Sequence, residues 1–306
     1  MSDLRAPGYR LLGRGFDYLL HLRPAEWPIM FVHLFTGSAL SLGLAGLVLG
    51  YGGLGLLWGA LAFVIGLNGG TLALNSAFDR DEGDVAYLKR PPPPPPGLAL
   101  FGLALMTLGM LVALRLPRPF ALAYALCAGL SVLYSVPPVR LKAVPGVDWL
   151  VNMAGFGFLT PYAGWVLTDR HVTTVGLGVL LGFGLLFGSL YPLTQIYQLE
   201  EDLRRGDRTF SASLGLDRSL LVAILMAAFA FLIFGMTGIG SGWGLGLNGL
   251  SRWAAIVVAA AAWAVVLLPW WRARSRLEPA DHQAGMHRAL AAWAITDMAV
   301  LFAWAR

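Results

Sequence analysis

The sequence predicts an all-α integral membrane protein of nine transmembrane helices, and three observations carry that expectation. Hydrophobic residues make up 57% of the 306 and charged residues only 13%, too apolar a balance for a water-soluble domain; the mean hydropathy of +0.67 agrees. Apolar runs of roughly 17 to 25 residues, each long enough as a helix to cross about 30 Å of hydrocarbon, recur along the chain. They lie near 27–49, 54–78, 98–114, 120–136, 149–167, 174–194, 220–238, 253–271 and 289–305. With that count, every Lys and Arg except Arg115, Arg118, Arg170, Arg252 and Arg306 falls on the side of the N-terminus, and the positive-inside rule makes that side cytoplasmic. The acids crowd the same face, apart from Asp169 outside and Asp297 within the last span. Acids contribute little to orientation, so their crowding points to chemistry at the cytoplasmic face.

Residues 1–26 are polar and basic, with Tyr9, Leu11, Leu12, Phe16, Tyr18, Leu19 and Leu20 interleaved. That pattern predicts a cytoplasmic interfacial helix ahead of one membrane domain, 27–306, and nothing in it resembles a cleavable signal. The first span carries His33, expected to hydrogen-bond between helices. A hairpin break is expected at Tyr51-Gly52-Gly53. The second span holds Asn68, Thr71 and Asn75 among small residues that permit close packing. Cys127 is the single cysteine and lies in an apolar span, which excludes an intrachain disulfide and a thiolate metal site. The net charge of +5 reflects membrane orientation, and no nucleic-acid module is present.

The second span leaves the membrane as NSAFDRDEGDVAYLKRPPPPPP, residues 75–96. Asn75 and Asp79 are four apart and share a helical face near its end. Asp81, Glu82 and Asp84 follow, then Lys89 and Arg90. Carboxylates this dense repel one another unless a cation sits among them, and oxygen-only ligands suit Mg2+, which is held by a few carboxylates together with substrate phosphates. The six prolines form a stiff, extended connector, either a spacer or a support that holds Lys89 and Arg90 over the acids.

Two further loops on the same face add to this set. LYSVPPVRLKAVPGVDW supplies Tyr134, Arg140 and Lys142. The sixth span exits as LTQIYQLEEDLRRGDRTFSASLG, in which Gln195, Gln198 and Asp202 are spaced to share a helical face, with Glu201 beside them and Arg208 beyond a helix-ending Gly206. An even number of crossings separates the two acidic loops, so both reach one cytoplasmic mouth. His282 and His287 lie in a loop of mixed charge and are expected to be solvated. Asp297 is expensive inside a span, and either a function or a buried partner would account for it.

These loops together resemble the paired aspartate motifs of the UbiA superfamily of intramembrane prenyltransferases. That family carries Asn-x-x-x-Asp-x-x-x-Asp followed by Arg-Pro, and Asn75, Asp79 and Arg90-Pro91 match it; Gly83 occupies the third ligand position, with Asp84 one residue on and Asp81 able to substitute. The stretch Tyr134 to Lys142 is similar to the family's Tyr-Ser-x-Pro-Pro-x-Arg-x-Lys. Its second motif, Asp-x-x-Asp-x-x-x-Asp then Gly-x-Arg-Thr, is met by Gln195, Gln198, Asp202, Gly206, Arg208 and Thr209, so two acids have become glutamines. The resemblance implies a helical bundle around a central cavity open to the cytoplasm and laterally to lipid, in a bacterial or archaeal plasma membrane. It also implies that Asp79, Asp81, Asp84, Glu201 and Asp202 hold Mg2+, while Asp79, Asp202, Arg140 and Lys142 carry the catalysis. Asn75, Lys89, Arg90, Tyr134, Gln195, Gln198 and Arg208 would bind an isoprenyl diphosphate donor, whose prenyl group passes to a lipophilic, aromatic acceptor. Two other readings remain open at this stage, a terpene cyclase of the same fold that consumes the donor alone and a multi-span transporter. The second places its binding groups near the bilayer midplane, whereas here the charged residues crowd a single face, with Asp297 the lone intramembrane acid.

Overall fold

The apolar runs of the sequence lie on helices. A computed structural model describes residues 5–49, 52–79, 85, 88–205 and 208–305, with backbone alone at 48, 49, 52, 201, 202 and 205. In chain order the helices are α1 (Ala6–Leu12), α2 (Gly15–His21), α3 (Trp27–Leu42), α4 (Leu44–Leu49), α5 (Gly52–Ala60), α6 (Gly70–Asp79), α7 (Leu98–Ala113) and α8 (Arg118–Ser135). They continue as α9 (Val147–Asn152), α10 (Thr160–Val166), α11 (Thr174–Ile196), α12 (Leu199–Arg205), α13 (Phe210–Gly240), α14 (Leu247–Ala273) and α15 (Pro279–Trp304). Tyr51, at the expected hairpin break, lies outside the described residues.

Among the described residues, four helical stretches are long and apolar enough to cross a membrane: Gly53–Asp79, Thr174–Ile196, Phe210–Gly240 and Leu247–Arg276. Their burial differs in a telling way. The first is two-thirds buried, while α14 buries only 28% of its apolar window and turns Val257, Val258 and Val265 outward. Such a surface is stable only against hydrocarbon, because a soluble protein rarely exposes so large an apolar patch.

The chain forms two compact units, Met1–Val32 with Leu54–Arg140, and His33–Gly53 with Leu141–Arg306. In the first, α6 packs on α7 through glycines: a Cβ at Gly70 would meet Gly102 O at 2.7 Å, and one at Gly102 would meet Gly70 O at 2.7 Å. Small residues let two backbones approach where lipid supplies no hydrophobic drive for association. In the second unit, Gly37 and Gly164 do the same between α3 and α10, where Ser38 Oγ donates to Gly164 O at 2.7 Å. The core of the second unit is aromatic, with Phe183, Phe234, Trp263 and Trp293 among its buried members. Two π-helical stretches, Leu61–Gly69 and Met153–Leu159, interrupt the α-helices; π turns are rare and cluster at functional sites.

The intramembrane acid has a partner. Asp297 Oδ1 lies 3.5 Å from His33 Nδ1, and His33 Nε2 lies 3.3 Å from Gly157 O. The carbonyl can only accept, so Nε2 is the donor to Gly157 O. His282 differs from its expectation. It is buried, and its Nδ1 accepts the indole N–H of Trp270 at 2.8 Å, because α15 begins at Pro279, three residues before it, and folds the ring onto α14.

Burial, opposed weakly by Asp281, holds the His282 pKa below its ordinary 6.5. The folded state therefore favours the neutral ring, and this contribution is complete above 6.5 and lost as pH falls through the lowered value. His21, also pushed down chiefly by burial, acts in the same direction. Thermal melting of the detergent-solubilised protein should show the melting temperature declining below about pH 6.5, with His282→Gln flattening part of the decline. A Gly70→Val protein should lose about 1–3 kcal/mol or fail to fold, since the atoms it meets include a backbone carbonyl that cannot move aside.

Candidate active site

In the first unit the spacing read from the sequence places Asn75 and Asp79 on the last two turns of α6, as a polar column. Thr71 stands one turn earlier and donates to Ser131 Oγ of α8 at 2.9 Å, while Ser131 donates to Cys127 O at 2.8 Å. Two polar atoms in this column are buried with no hydrogen-bond partner among the described residues, Asn68 Nδ2 and Asn75 Oδ1. Buried oxygens of this kind cost about 1–3 kcal/mol when left unmet, so the Asn75 carbonyl is suited to an added donor or cation.

Asp79 is the last described residue of α6, and a carboxylate so little exposed to water is unfavourable without a partner. A cation corrects this. Arg140 Nη2 stands 3.6 Å from Asp79 Oδ1, with the Asp79 side chain 9% exposed and that of Arg140 32%. Arg140 reaches this position from a backbone at φ 38°, its N–H bonded to Val136 O at 3.1 Å. Non-glycine residues seldom occupy that region, and when they do it is often at a functional site. Tyr134, half-buried, lies on the last turn of α8.

The N-terminal helices grip the proline connector. A run of prolines offers carbonyls but no N–H groups, and three side chains answer them. Arg5 donates to the carbonyls of Lys89 and Arg90, Tyr18 Oη to that of Pro96, and His21 Nε2 lies 3.1 Å from that of Pro92. The side chains of Lys89 and Arg90 are exposed, and Arg90 sits at φ 47°. The connector is thus held from the N-terminal side, a role for residues 5–21 that the sequence did not disclose. Asp81, Glu82 and Asp84 lie outside the described residues.

In the second unit Lys142 lies in a 3-10 turn, Leu141–Ala143. The expected shared face of Gln195, Gln198 and Asp202 is broken, because α11 ends at Ile196 and a turn at Tyr197 and Gln198, closed by Gln198 N–H to Gln195 O at 3.0 Å, precedes α12. Gln195 points inward. Its Oε1 accepts from Ser211 N at 3.0 Å, and its Nε2 donates to Asp148 Oδ2 at 3.2 Å and Tyr191 Oη at 2.9 Å. Gln198 is half-buried, and Arg208 is exposed just ahead of α13, whose first turn Thr209 caps by accepting from Ala212 N at 3.3 Å. The side chains of Glu201 and Asp202 lie outside the described residues, as does Gly206. Among the described residues no three His, Cys, Asp or Glu side chains gather as a metal cluster.

Asp148 is the polar residue that sequence reasoning passed over. It is fully buried, and its carboxylate accepts from Gly146 N at 2.9 Å, Phe210 N at 2.8 Å, Tyr191 Oη at 3.2 Å and Gln195 Nε2. A signal existed: an acid beside Trp149 at the start of an apolar run carries the same cost that singled out Asp297.

The oxygens of Asn75 and Asp79 suit a hard divalent cation such as Mg2+, and the adjacent guanidinium of Arg140 suits an anion that such a cation accompanies. Comparisons with known proteins agree with this chemistry. The UbiA prenyltransferase family matches residues 39–294. A UbiA homologue from Archaeoglobus fulgidus bound to DMAPP and Mg2+ superposes with a TM-score of 0.65 at 19% identity, over 92% of this chain and 99% of that one. The apo structure of a UbiA homologue from Aeropyrum pernix K1 gives 0.61 at 19% identity, over 89% and 96%. A structure described for digeranylgeranylglyceryl phosphate synthase gives 0.66 at 14% identity, over 93% and 96%. No curated protein matches in sequence. With most of its length matched by the family, and helices arranged as in solved homologues, the chain belongs to the UbiA prenyltransferase family.

Proposed function

We propose that this protein transfers a prenyl group from an isoprenoid diphosphate to a lipophilic, aromatic acceptor within the membrane, using Mg2+. Its nine spans would place the polar helix ends at the cytoplasmic face, in a cavity open to that side and to lipid. The observation that carries the reading is the end of α6, where a buried, unmet Asn75 oxygen precedes an Asp79 carboxylate paired at 3.6 Å with Arg140. The homologue bound to DMAPP and Mg2+ supports the same ligand chemistry.

Asn75, Asp79 and Asp202 would hold the cation, with Asp81, Asp84 and Glu201 as further carboxylates near them in sequence. Mg2+ when bound supplies charge stabilisation to the departing diphosphate. Arg140 and Lys142 would orient that group and meet the negative charge that grows on its bridging oxygen as the allylic C–O bond breaks. Lys89, Arg90, Arg208 and Tyr134 would add donors to the outer phosphate oxygens. Apolar side chains exclude water from the allylic cation until the electron-rich acceptor attacks it, after which a proton leaves the acceptor and restores its aromaticity. Gln198 could accept from a phosphate-bound water, while the amide oxygen of Gln195 is turned inward to Ser211 N.

The test is diphosphate release by the purified protein, supplied with prenyl diphosphates of several lengths, with and without Mg2+ and a quinol-type or phenolic acceptor. Release should require both; release without acceptor, with a cyclised hydrocarbon as product, would identify a cyclase instead. Asp79→Asn and Asp202→Asn should each lower kcat by about 100-fold or more with the melting temperature unchanged. Arg140 offers a sharper separation. Arg140→Gln should raise the donor KM, and Arg140→Gly should weaken the donor equally, its relief of a positive φ worth about 1 kcal/mol offsetting part of the stability lost with the Asp79 pair. An Arg140→Gly protein with the wild-type KM would show that the guanidinium serves only the fold.

A further inference from the structure

We infer that Asp148 is the positioning residue of the second polar loop and that Gln195, standing where the family pattern has an acid, is its neutral partner and not a cation ligand. The inference rests on the prenyl-transfer reading in one respect: Lys142 and Arg208 are taken to serve the diphosphate.

The hydrogen bonds fix how the Gln195 amide lies. Ser211 N–H requires an acceptor, and Asp148 Oδ2 and Tyr191 Oη on the other side take the two amide hydrogens, so the oxygen must face α13. Only 8% of Gln195 is exposed. Its oxygen therefore meets the buried first turn of α13, and a cation could reach it only if that turn opened. An acid at this position would remove both N–H donors and set a second carboxylate about as close to Asp148 as the amide nitrogen is now, 3.2 Å. Two buried carboxylates at that separation oppose each other's charge. Aspartate at 148 and glutamine at 195 are thus one arrangement, with the negative charge on α9 and its carboxamide partner on α11.

What this latch holds is the entrance to two candidate binding loops. Asp148 Oδ2 takes Phe210 N and Gln195 Oε1 takes Ser211 N, which fixes the start of α13, two residues after Arg208. Asp148 Oδ1 takes Gly146 N, and Asp148 N donates to Val144 O at 3.1 Å, which fixes the turn that follows Lys142. Trp149 braces the same corner, stacking on Phe210 with ring centroids 5.1 Å apart and donating to Gly188 O at 2.9 Å. One carboxylate therefore sets where the Lys142 turn and the Arg208 loop stand in this unit.

The test uses the full-length protein in micelles, with melting temperature, tryptic cleavage at Arg204 and Arg208, and steady-state kinetics as readouts. Asp148→Asn should raise the donor KM by about fivefold with kcat within about twofold, because the loop spends less time in place; a merely structural loss would lower active enzyme and leave KM alone. Gln195→Glu should melt earlier and be cleaved faster. The exchange protein Asp148→Asn/Gln195→Glu, with one carboxylate and one carboxamide again, should recover the part of the Gln195→Glu loss that comes from two facing carboxylates, and no more, because a carboxamide at 148 cannot accept from both Gly146 N and Phe210 N. An exchange protein no better than Gln195→Glu overturns the inference, and so does a Gln195→Glu protein that melts like wild type and binds Mg2+ more tightly. If Gln195→Glu does not fold, the exchange protein is read against Asp148→Asn: a folded exchange protein supports the latch, and one that is unfolded while Asp148→Asn folds overturns it. An unchanged KM in Asp148→Asn, with Asp79→Asn inactive, overturns the positioning role. Rescue in melting and cleavage, with Asp79→Asn as active as wild type, leaves the latch standing and removes the prenyl-transfer reading instead.

Discussion

The structure depends on one electrostatic constraint: a chain this apolar has few charges, and each one taken out of water needs a partner placed by the fold. Desolvating a carboxylate costs several kcal/mol unless donors or a cation compensate it. Three acids show three solutions. Asp297 lies against His33, Asp148 collects four donors, and Asp79 on α6 faces Arg140. The first two are closed arrangements within the second unit, satisfied by side chains and backbone alone. The third is different in kind, because its guanidinium is a third exposed and the neighbouring Asn75 oxygen is unmet. Chemistry is to be sought where the compensation is incomplete.

Backbone geometry serves the same end. Where glycines let α6 lie on α7, the polar face of α6 is held against α8, so Asn75 and Asp79 project from a rigid element. Two of the cations in play, Arg90 and Arg140, occupy left-handed backbone positions, which packing and hydrogen bonds must hold against an intrinsic cost. The N-terminal helices do comparable work for the proline connector. Its carbonyls have no donors of their own, and Arg5, Tyr18 and His21 supply them. A segment that composition marks only as interfacial thus also sets the course of the chain carrying Lys89 and Arg90.

The departure of the second motif from its family pattern acquires a physical sense in this light. Replacing an acid by glutamine at 195 lowers the negative charge near the Arg208 loop, but the amide brings two N–H donors that an ionised acid lacks and keeps one acceptor, and the structure uses all three. The substitution trades ligand character for rigidity. Whatever anionic contribution the loop makes to cation binding must then come from residues farther along it.

By itself the sequence pointed to a helical membrane protein and to its family. Apolar runs gave the helices, since 3.6-residue geometry and a 30 Å solvent slab act locally, and the four-residue spacing of Asn75 and Asp79 put both on one face of a helix end that the structure contains. The motif set was enough to point to the family. Tertiary structure alone decided the partners. Asp148 meets Gln195 across 47 positions and Phe210 across 62, and His33 meets Asp297 across 264, separations over which no periodicity carries information. For the same reason Gln195 read as a ligand on a continuous helical face and His282 as solvated, and Asp148 was passed over. Local pattern says which face of a helix a side chain takes; what stands opposite that face is fixed only when distant helices pack.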